Sequence, residues 1–250
     1  MNPALAETAH RPYPMQDGPW IMSQAWHDLL FAHWPVRPDA VREQLPPGLE
    51  LDLFDGEAWL GVVPFRMSGV RPRFMPPVPG LSNFPELNLR TYVTRDGRPG
   101  VWFFTLEASN KIAVRIARAW FHLPYHDARM RCEARGEDLA YESVRTHRNA
   151  GAPRFEARYG PRGDVYLSEK STLEHWLTER YCLYAASKRG ALYRAEIQHG
   201  PWPLQPAETE IERNELPQAH GFTLPDREPL LHFAREIRMV AWAPRCVRRD

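Results

Sequence analysis

The chain is short of lysine, of cysteine and of long apolar runs, and each shortage narrows what it can do. Of its 32 basic residues only Lys111, Lys170 and Lys188 are lysines, which limits where amine chemistry could reside. Cys132, Cys182 and Cys246 are odd in number, far apart and in no CxxC pair. That argues against a disulfide framework or a zinc site and fits a reducing cytoplasm. No window approaches the ~20 apolar residues that a membrane helix needs. Net charge is almost absent at +1, which removes any general pull toward nucleic acid or an anionic membrane. The small basic clusters (Arg71 with Arg73, Arg145 with Arg148, Arg248 with Arg249) read as solvated surface. There is no GxGxxG, P-loop, GxSxG elbow or HExxH, which argues against nucleotide-dependent and serine-hydrolase chemistry.

What the chain has in excess is proline, 25 in 250 residues against a usual ~5%. Proline removes a backbone donor and interrupts regular elements, so many short segments joined by turns are expected. Residues 1–22 carry Pro3, Pro12, Pro14 and Pro19 but no basic stretch followed by an apolar one. They read as a flexible tail, not a signal peptide. The remainder, 23–250, shows neither repeat nor linker and reads as a single domain.

Strand periodicity dominates. WHDLLFAHWPV (26–36) places His27, Leu29, Phe31 and His33 on one face. LELDLF and EAWLGVVPF flank Asp55-Gly56, a tight-turn pair, and so predict a hairpin. A loop with five prolines over 72–85 follows, and Phe74 and Met75 within it suit a pocket cover. FPELNLRTYV and VWFFTLEAS predict a second hairpin across TRDGRPG. Short helices are expected from Pro38 to Leu45 and near 171–179. Over 110–121 the period changes: Ile112, Ile116 and Trp120 recur at four, the stripe of an amphipathic helix. From His126 to Ala134 alternation returns, and further strands are expected over 138–147, 180–187, 191–199, 207–213 and 236–242. Nothing suggests alternating βαβ units. The fold class is mainly β (α+β), a predominantly antiparallel sheet, curled or closed, with a few peripheral helices.

The strand Pro85–Val93 carries the chemistry. Leu87 and Leu89 face one way, suited to packing under a helix layer; Glu86, Asn88 and Arg90 face the other. On an isolated strand such a polar face is simply solvated. The neighbouring VWFFTLEAS, however, is apolar on both faces as far as Glu107, so the hairpin is expected to be central and covered. A covered polar face needs partners or a wet cavity, because an unpaired buried charge costs several kcal/mol. Arg90 could then grip a carboxylate with its planar fork, and Glu86 could transfer protons. His33 and His199 each suit either the same cavity or the core. His122 and His126 are four apart, but Pro124 between them breaks the helix that would make this spacing a metal site.

Several long motifs carry a resemblance: HWPVRPDAVREQLPPGLELDLFDGEAWLGVVPF, FPELNLRTYV with GRPGVWFFTLEASNKIAVRIAR, LPYHDARM and HGPWPL. In this order, over about residues 23–245, they resemble the YqjF-like family of uncharacterised conserved proteins. That family is similar in turn to acetoacetate decarboxylase, which implies a double-layered, cone-shaped β-barrel around a cavity. The decarboxylase has a Trp-Gly-Tyr-Pro-Lys-Lys segment after its helix, whose first lysine forms a Schiff base with the keto acid. Here the corresponding stretch is Trp120-Phe121-His122-Leu123-Pro124-Tyr125-His126, with Tyr125 and His126 where the lysines would stand. Without an amine there is no imine electron sink, so the resemblance implies the barrel and not that reaction.

Three readings stay open on the sequence. One is an enzyme acting on a small carbonyl or carboxylate compound as a lyase, isomerase or hydrolase, with Arg90 as anchor, Glu86 as proton carrier and Tyr125 or His126 polarising a carbonyl. The second is a non-catalytic barrel in which Arg90, Asn88, His33 and His199 orient a metabolite. The third is a structural or interaction protein with a solvated strand face. None of them calls for a metal, cofactor, nucleic acid or membrane; homo-oligomer formation is left open.

Overall fold

The computed structural model describes residues 2–247. After a 3-10 turn at Pro3–Leu5, the chain forms β1 (Met22–Val36), α1 (Pro38–Arg42), β2 (Glu50–Leu51), β3 (Ala58–Pro72), β4 (Phe84–Arg95) and β5 (Arg98–Ala108). There follow α2 (Lys111–Trp120), β6 (Tyr125–Arg135), β7 (Asp138–Arg145), β8 (Arg154–Pro161) and α3 (Leu173–Thr178). The last third holds β9 (Cys182–Ala186), β10 (Leu192–His199), β11 (Leu204–Asn214), α4 (Leu216–Ala219), β12 (Leu230–Ala241) and β13 (Arg245–Val247). The strands β8 and β13 and the short α4 lie outside the expected elements, and the cluster Arg248–Arg249 lies outside the described residues.

The strands form one 13-stranded sheet whose pairings close on themselves twice. One circuit of seven strands runs β4–β5–β9–β10–β12–β1–β3 and back to β4. The other leaves β5 through β6, β7, β8 and β11 and rejoins at β12. The strands β5, β4, β3, β1 and β12 are shared, so both of their faces are covered. Alternation sends Leu30, Leu60, Leu87 and Leu89 to a core with Tyr141, Phe155 and Tyr159, and Leu29, Phe31, Val63 and Phe65 to a second core with Trp202.

The sheet is predominantly antiparallel but mixed: β5 pairs in parallel with both β6 and β9. The physical cause is α2. As a crossover between β5 and β6 it returns the chain to the starting end of its neighbour, a single βαβ step that the strand-rich sequence concealed. The two tight turns form at Asp55-Gly56 and Asp96-Gly97, each with positive φ at both residues. The first does not, however, join paired strands, because β2 pairs with β4 and not with β3. Leu87 and Leu89 share one core with β7 and β8 residues and with Val41 of α1 and Leu216 of α4.

Strand β1 also departs from simple alternation. Asp28 takes φ 50°, and the pairing with β3 shifts register between His27 and Ala32. This extra residue flips the phase, so Trp26 packs on the Leu29 and Phe31 side while His27 turns to Ser68. Arg66 and Arg235 bind the Asp28 carboxylate and fix the bulge. The expected loose tail is laid against the sheet. Ala4 is buried with Val240 and Trp242, and Arg11 donates to the Ile197 carbonyl at 2.7 Å and to Gln198 at 2.8 Å. No helix among the described residues is long and apolar enough to cross a membrane.

Candidate functional site

The seven-strand circuit encloses a cavity of about 350 Å³, and every strand of that circuit contributes to its lining. The wall is mostly apolar, with Trp26, Phe84, Phe103, Leu123 and Trp202 prominent, and polar groups are few, as is usual for small-molecule sites. Glu86, Arg90, Tyr125, Arg180 and His199 are among them. None of the lining residues among those described is a lysine.

Glu86 is buried on β4, and Tyr125 at the start of β6 donates its hydroxyl to Glu86 Oε2 at 2.5 Å. Burial pushes the Glu86 carboxyl up to about 7, although hydrogen bonds from Tyr125 and Asn88 pull the other way. The Tyr125 hydroxyl is held well above its ordinary range by burial and by the adjacent carboxylate. Behind the pair, Tyr141 donates to the Glu86 backbone carbonyl at 2.7 Å and pins the strand. A carboxyl that titrates near neutrality beside a phenol can hold or release a proton at physiological pH. Asn88 lies next to Glu86 but outside the cavity lining, and its Oδ1 is buried without a partner.

Arg90 points the other way along the strand. Its Nη2 donates to Tyr92 Oη at 3.2 Å and to the Leu177 carbonyl at 3.3 Å, and its guanidinium lies over the Phe31 ring. Tyr92 in turn bonds His33 Nε2 at 2.6 Å; because Arg90 donates to the phenol oxygen, the phenol proton is assigned to this bond. His33 is fully buried and does not line the cavity; of the two positions open to it on the sequence it takes the core one, behind Arg90. Burial and the nearby Arg90 charge hold the imidazole well below its ordinary range, so the ring is neutral and has a nitrogen able to accept. Gly61 makes this stack possible. It pairs with His33 on one side and Arg90 on the other, and a Cβ there would lie 2.9 Å from His33 Nε2 and 3.3 Å from Arg90 Cγ.

Arg180 is a second arginine in the lining, and nothing in its local sequence decides between aromatic core and pocket wall. It follows α3, donates to Asp52 and to the Trp176 carbonyl at 2.6 Å each, and its guanidinium lies over the rings of both Tyr92 and Trp176. Its Nη2 is buried without a partner. Arg180 has Asp52 as counter-ion, whereas Arg90 has no acidic partner among the described residues.

The histidines divide. His199 lines the cavity, stacked on Tyr181 at 4.7 Å with Nδ1 donating to the Gly200 carbonyl at 2.6 Å. His126 does not, because it follows Tyr125 on a strand and must face the other way. It meets Thr105 at 3.1 Å and the His147 ring on the far side, where burial and the charge of Arg145 lower it to about 3. Tyr125 and His126 therefore cannot serve one cavity together. Among the described residues no group of three or more His, Cys, Asp or Glu could hold a metal ion.

The mouth of the cavity lies between α2 and the proline-rich loop. Asn110 caps α2 through the Ile112 and Ala113 amides and also donates to the Leu81 carbonyl at 2.8 Å, tying helix to loop. The helix α2 is amphipathic as expected, and its apolar stripe is open: Ile112, Ile116 and Trp120 are 48%, 54% and 69% exposed while lining the cavity.

The comparisons with known proteins agree with this architecture. The uncharacterized protein YqjF of Bacillus subtilis (strain 168) is 47% identical over 226 residues, covering 90% of this chain and 92% of that protein. Acetoacetate decarboxylase from Legionella pneumophila matches with a TM-score of 0.63 over 96% of this chain and 93% of its own, at 13% identity. The enduracididine biosynthesis enzyme MppR, complexed with pyruvate, matches with a TM-score of 0.62 over 98% of this chain and 97% of its own, at 14% identity. At such identities these two structures speak for the fold alone. The DUF2071 family, described as uncharacterized conserved protein, matches residues 23–238, and the chain belongs to that family.

Proposed function

We propose that this protein is an enzyme performing general acid–base chemistry on a carboxylate-bearing carbonyl metabolite, without a covalent amine. In this reading the two strand circuits are a double, cone-shaped β-barrel of the acetoacetate decarboxylase type, and the seven-strand half holds the reaction. The observation that carries it is the Glu86–Tyr125 pair: a buried carboxyl raised to about 7, bonded at 2.5 Å to a phenol, in the wall of an apolar cavity. Glu86 is the proton carrier. Tyr125, a donor held far above neutral pH, orients the Glu86 carboxylate through its single O–H; once Glu86 has taken up a proton and donates it to the phenol oxygen, that O–H is free to turn to a developing oxyanion.

Arg90 is the anchor. A cation facing an apolar cavity without an acidic partner is costly unless the ligand supplies the counter-charge, and a carboxylate fits its fork. Tyr92 and His33 position it, and Arg180 adds to the positive field at that end. His199 contributes to the wall with its Nδ1 spent on the Gly200 carbonyl. Pyruvate, the molecule with which the enduracididine enzyme is complexed, is a carbonyl compound of this class. The lack of a lysine in the lining favours proton transfer over imine formation.

A thermal-shift screen of carboxylate metabolites on wild type, Arg90→Ala and Glu86→Gln tests this reading. A ligand should stabilise wild type and Glu86→Gln but not Arg90→Ala, and be turned over by wild type alone. A ligand that stabilises wild type and Arg90→Ala equally would remove the anchor, and turnover by Glu86→Gln would remove the acid–base role. Ligand-dependent stabilisation with no turnover by any variant would favour the non-catalytic barrel.

A further inference from the structure

We infer that the ligand is an extended amphipathic carboxylate, with its head at Arg90, its reacting region at Glu86 and an apolar tail leaving between α2 and the proline-rich loop. The inference rests on the proposed anchor at Arg90 and deepens it by naming the class of molecule.

Spacing is the first argument. Arg90 and Glu86 are four residues apart on one extended strand, which separates their Cα atoms by about 13 Å. The Arg90 guanidinium leans farther still, toward Tyr92 and the α3 carbonyl of Leu177. Glu86 instead pairs with Ala108, beside the start of α2, and so lies on the mouth side. A four-carbon keto acid seated on Arg90 falls short of Glu86. A longer one reaches it, and its continuation points to the mouth.

The mouth is the second argument. Val78, Leu81, Ile112, Ile116 and Trp120 are all exposed and all line the cavity, so the apolar wall runs unbroken from the interior to the surface. Exposed apolar side chains gathered on one rim mark a binding surface. Here their continuity with the cavity assigns the occupant: hydrocarbon belonging to the ligand inside. The Asn110 bond to Leu81 holds the two lips together and keeps the exit a slot, not a wide opening. Of the polar side chains near the lips, Asn110 is spent on the Leu81 carbonyl and Ser82 on the Val70 carbonyl, which leaves Arg71, at the end of β3, as the one charged lining group on the mouth side.

Calorimetric titration of wild type, Arg90→Ala and Ile116→Asp with butyrate, octanoate and dodecanoate decides the matter. Ile116 is more than half exposed, so an aspartate there is compatible with folding, and an unchanged melting temperature verifies it. Wild type should bind more tightly with length, by about fourfold for each methylene buried, until the tail emerges. In Ile116→Asp the dodecanoate-to-butyrate affinity ratio should fall at least tenfold, while Arg90→Ala should weaken all lengths together. Affinity that is flat with length but lost in Arg90→Ala overturns the tail and leaves the anchor standing. Length dependence that survives in Arg90→Ala at full strength overturns the anchor. Binding of no carboxylate overturns both. If Ile116→Asp converts a dimer to a monomer and leaves the affinity ratio unchanged, the rim is an interface between copies and the inference fails.

Discussion

The Tyr125 hydroxyl donates to Glu86 Oε2 across 2.5 Å and so joins the strand after the crossover helix to the central hairpin, inside the cavity. The two residues are far apart in sequence and meet only because β5 pairs in parallel with β6, Leu106 opposite Tyr125. The acid–base pair is thus a product of the one βαβ step in the fold.

Glu86 makes stability depend on pH in a defined direction. Its carboxyl titrates at 4.5 in the unfolded chain and at about 7 in the folded one. Below pH 4.5 both states are protonated and nothing is lost. Between 4.5 and 7 the unfolded chain releases a proton that the folded one retains, so stability falls as pH rises and levels off above 7. A shift of that size corresponds to about 3 kcal/mol. Glu86→Gln should be more stable than wild type at pH 8, and the two should converge near pH 4.5. Urea melts at both pH values check this.

Tyr125→Phe removes a hydrogen bond that favours the Glu86 carboxylate. The Glu86 pKa should rise above 7, and the rising limb of a kcat/KM profile should move to higher pH with it. A profile that stays in place would show that Tyr125 does not tune Glu86.

The support under Arg90 is equally open to test. Gly61→Ala would drive a methyl group into His33, where backbone and ring have no room. A destabilisation of roughly 1–3 kcal/mol is expected for such overpacking, together with weaker carboxylate binding. Tyr92→Phe should weaken binding by removing the bond that links His33 and Arg90, and should leave the length dependence of affinity intact.

On the far side of the sheet, His126 and His220 are lowered to about 3 and about 4 by burial and the Arg145 charge. Both should stay neutral in the folded protein well below the ordinary histidine range, which NMR of ring-labelled histidine can follow. The sign is opposite to that of Glu86. These rings hold stability that is present above pH 6.5 and lost as pH falls toward 4 and 3, because the unfolded chain gains protons first. In Glu86→Gln this acid-side loss should persist.

Borohydride in the presence of keto acids should leave no adduct on this protein, since no lysine among the described residues lines the cavity. Mass spectrometry showing a reduced lysine adduct would reopen imine chemistry.

Sequence periodicity sufficed for much of this architecture where local chemistry and burial agree. The alternation of Leu87 and Leu89 with Glu86 and Arg90 placed the polar face of β4, and the two Asp-Gly turns were visible as such. Three features were not legible, each for a physical reason. The Asp28 bulge adds one residue to β1 and reverses the faces before it, which no alternation pattern announces. The apolar period of α2 is that of a packed helix, yet here it borders a cavity; a hydrophobic stripe records amphipathicity and not what covers it. Arg180 joins the site through a register between β9 and β5, a non-local contact. Gly61, in the middle of a central strand, was the one signal available for the His33–Arg90 stack.

The central claim is that Glu86 exchanges its proton near neutral pH inside the cavity, and infrared titration tests it most directly. The carboxyl C=O band that disappears in Glu86→Gln should titrate in wild type with a midpoint near 7, and the midpoint should shift when an Arg90-dependent ligand binds. A midpoint near 4.5, unmoved by ligand, would contradict the account.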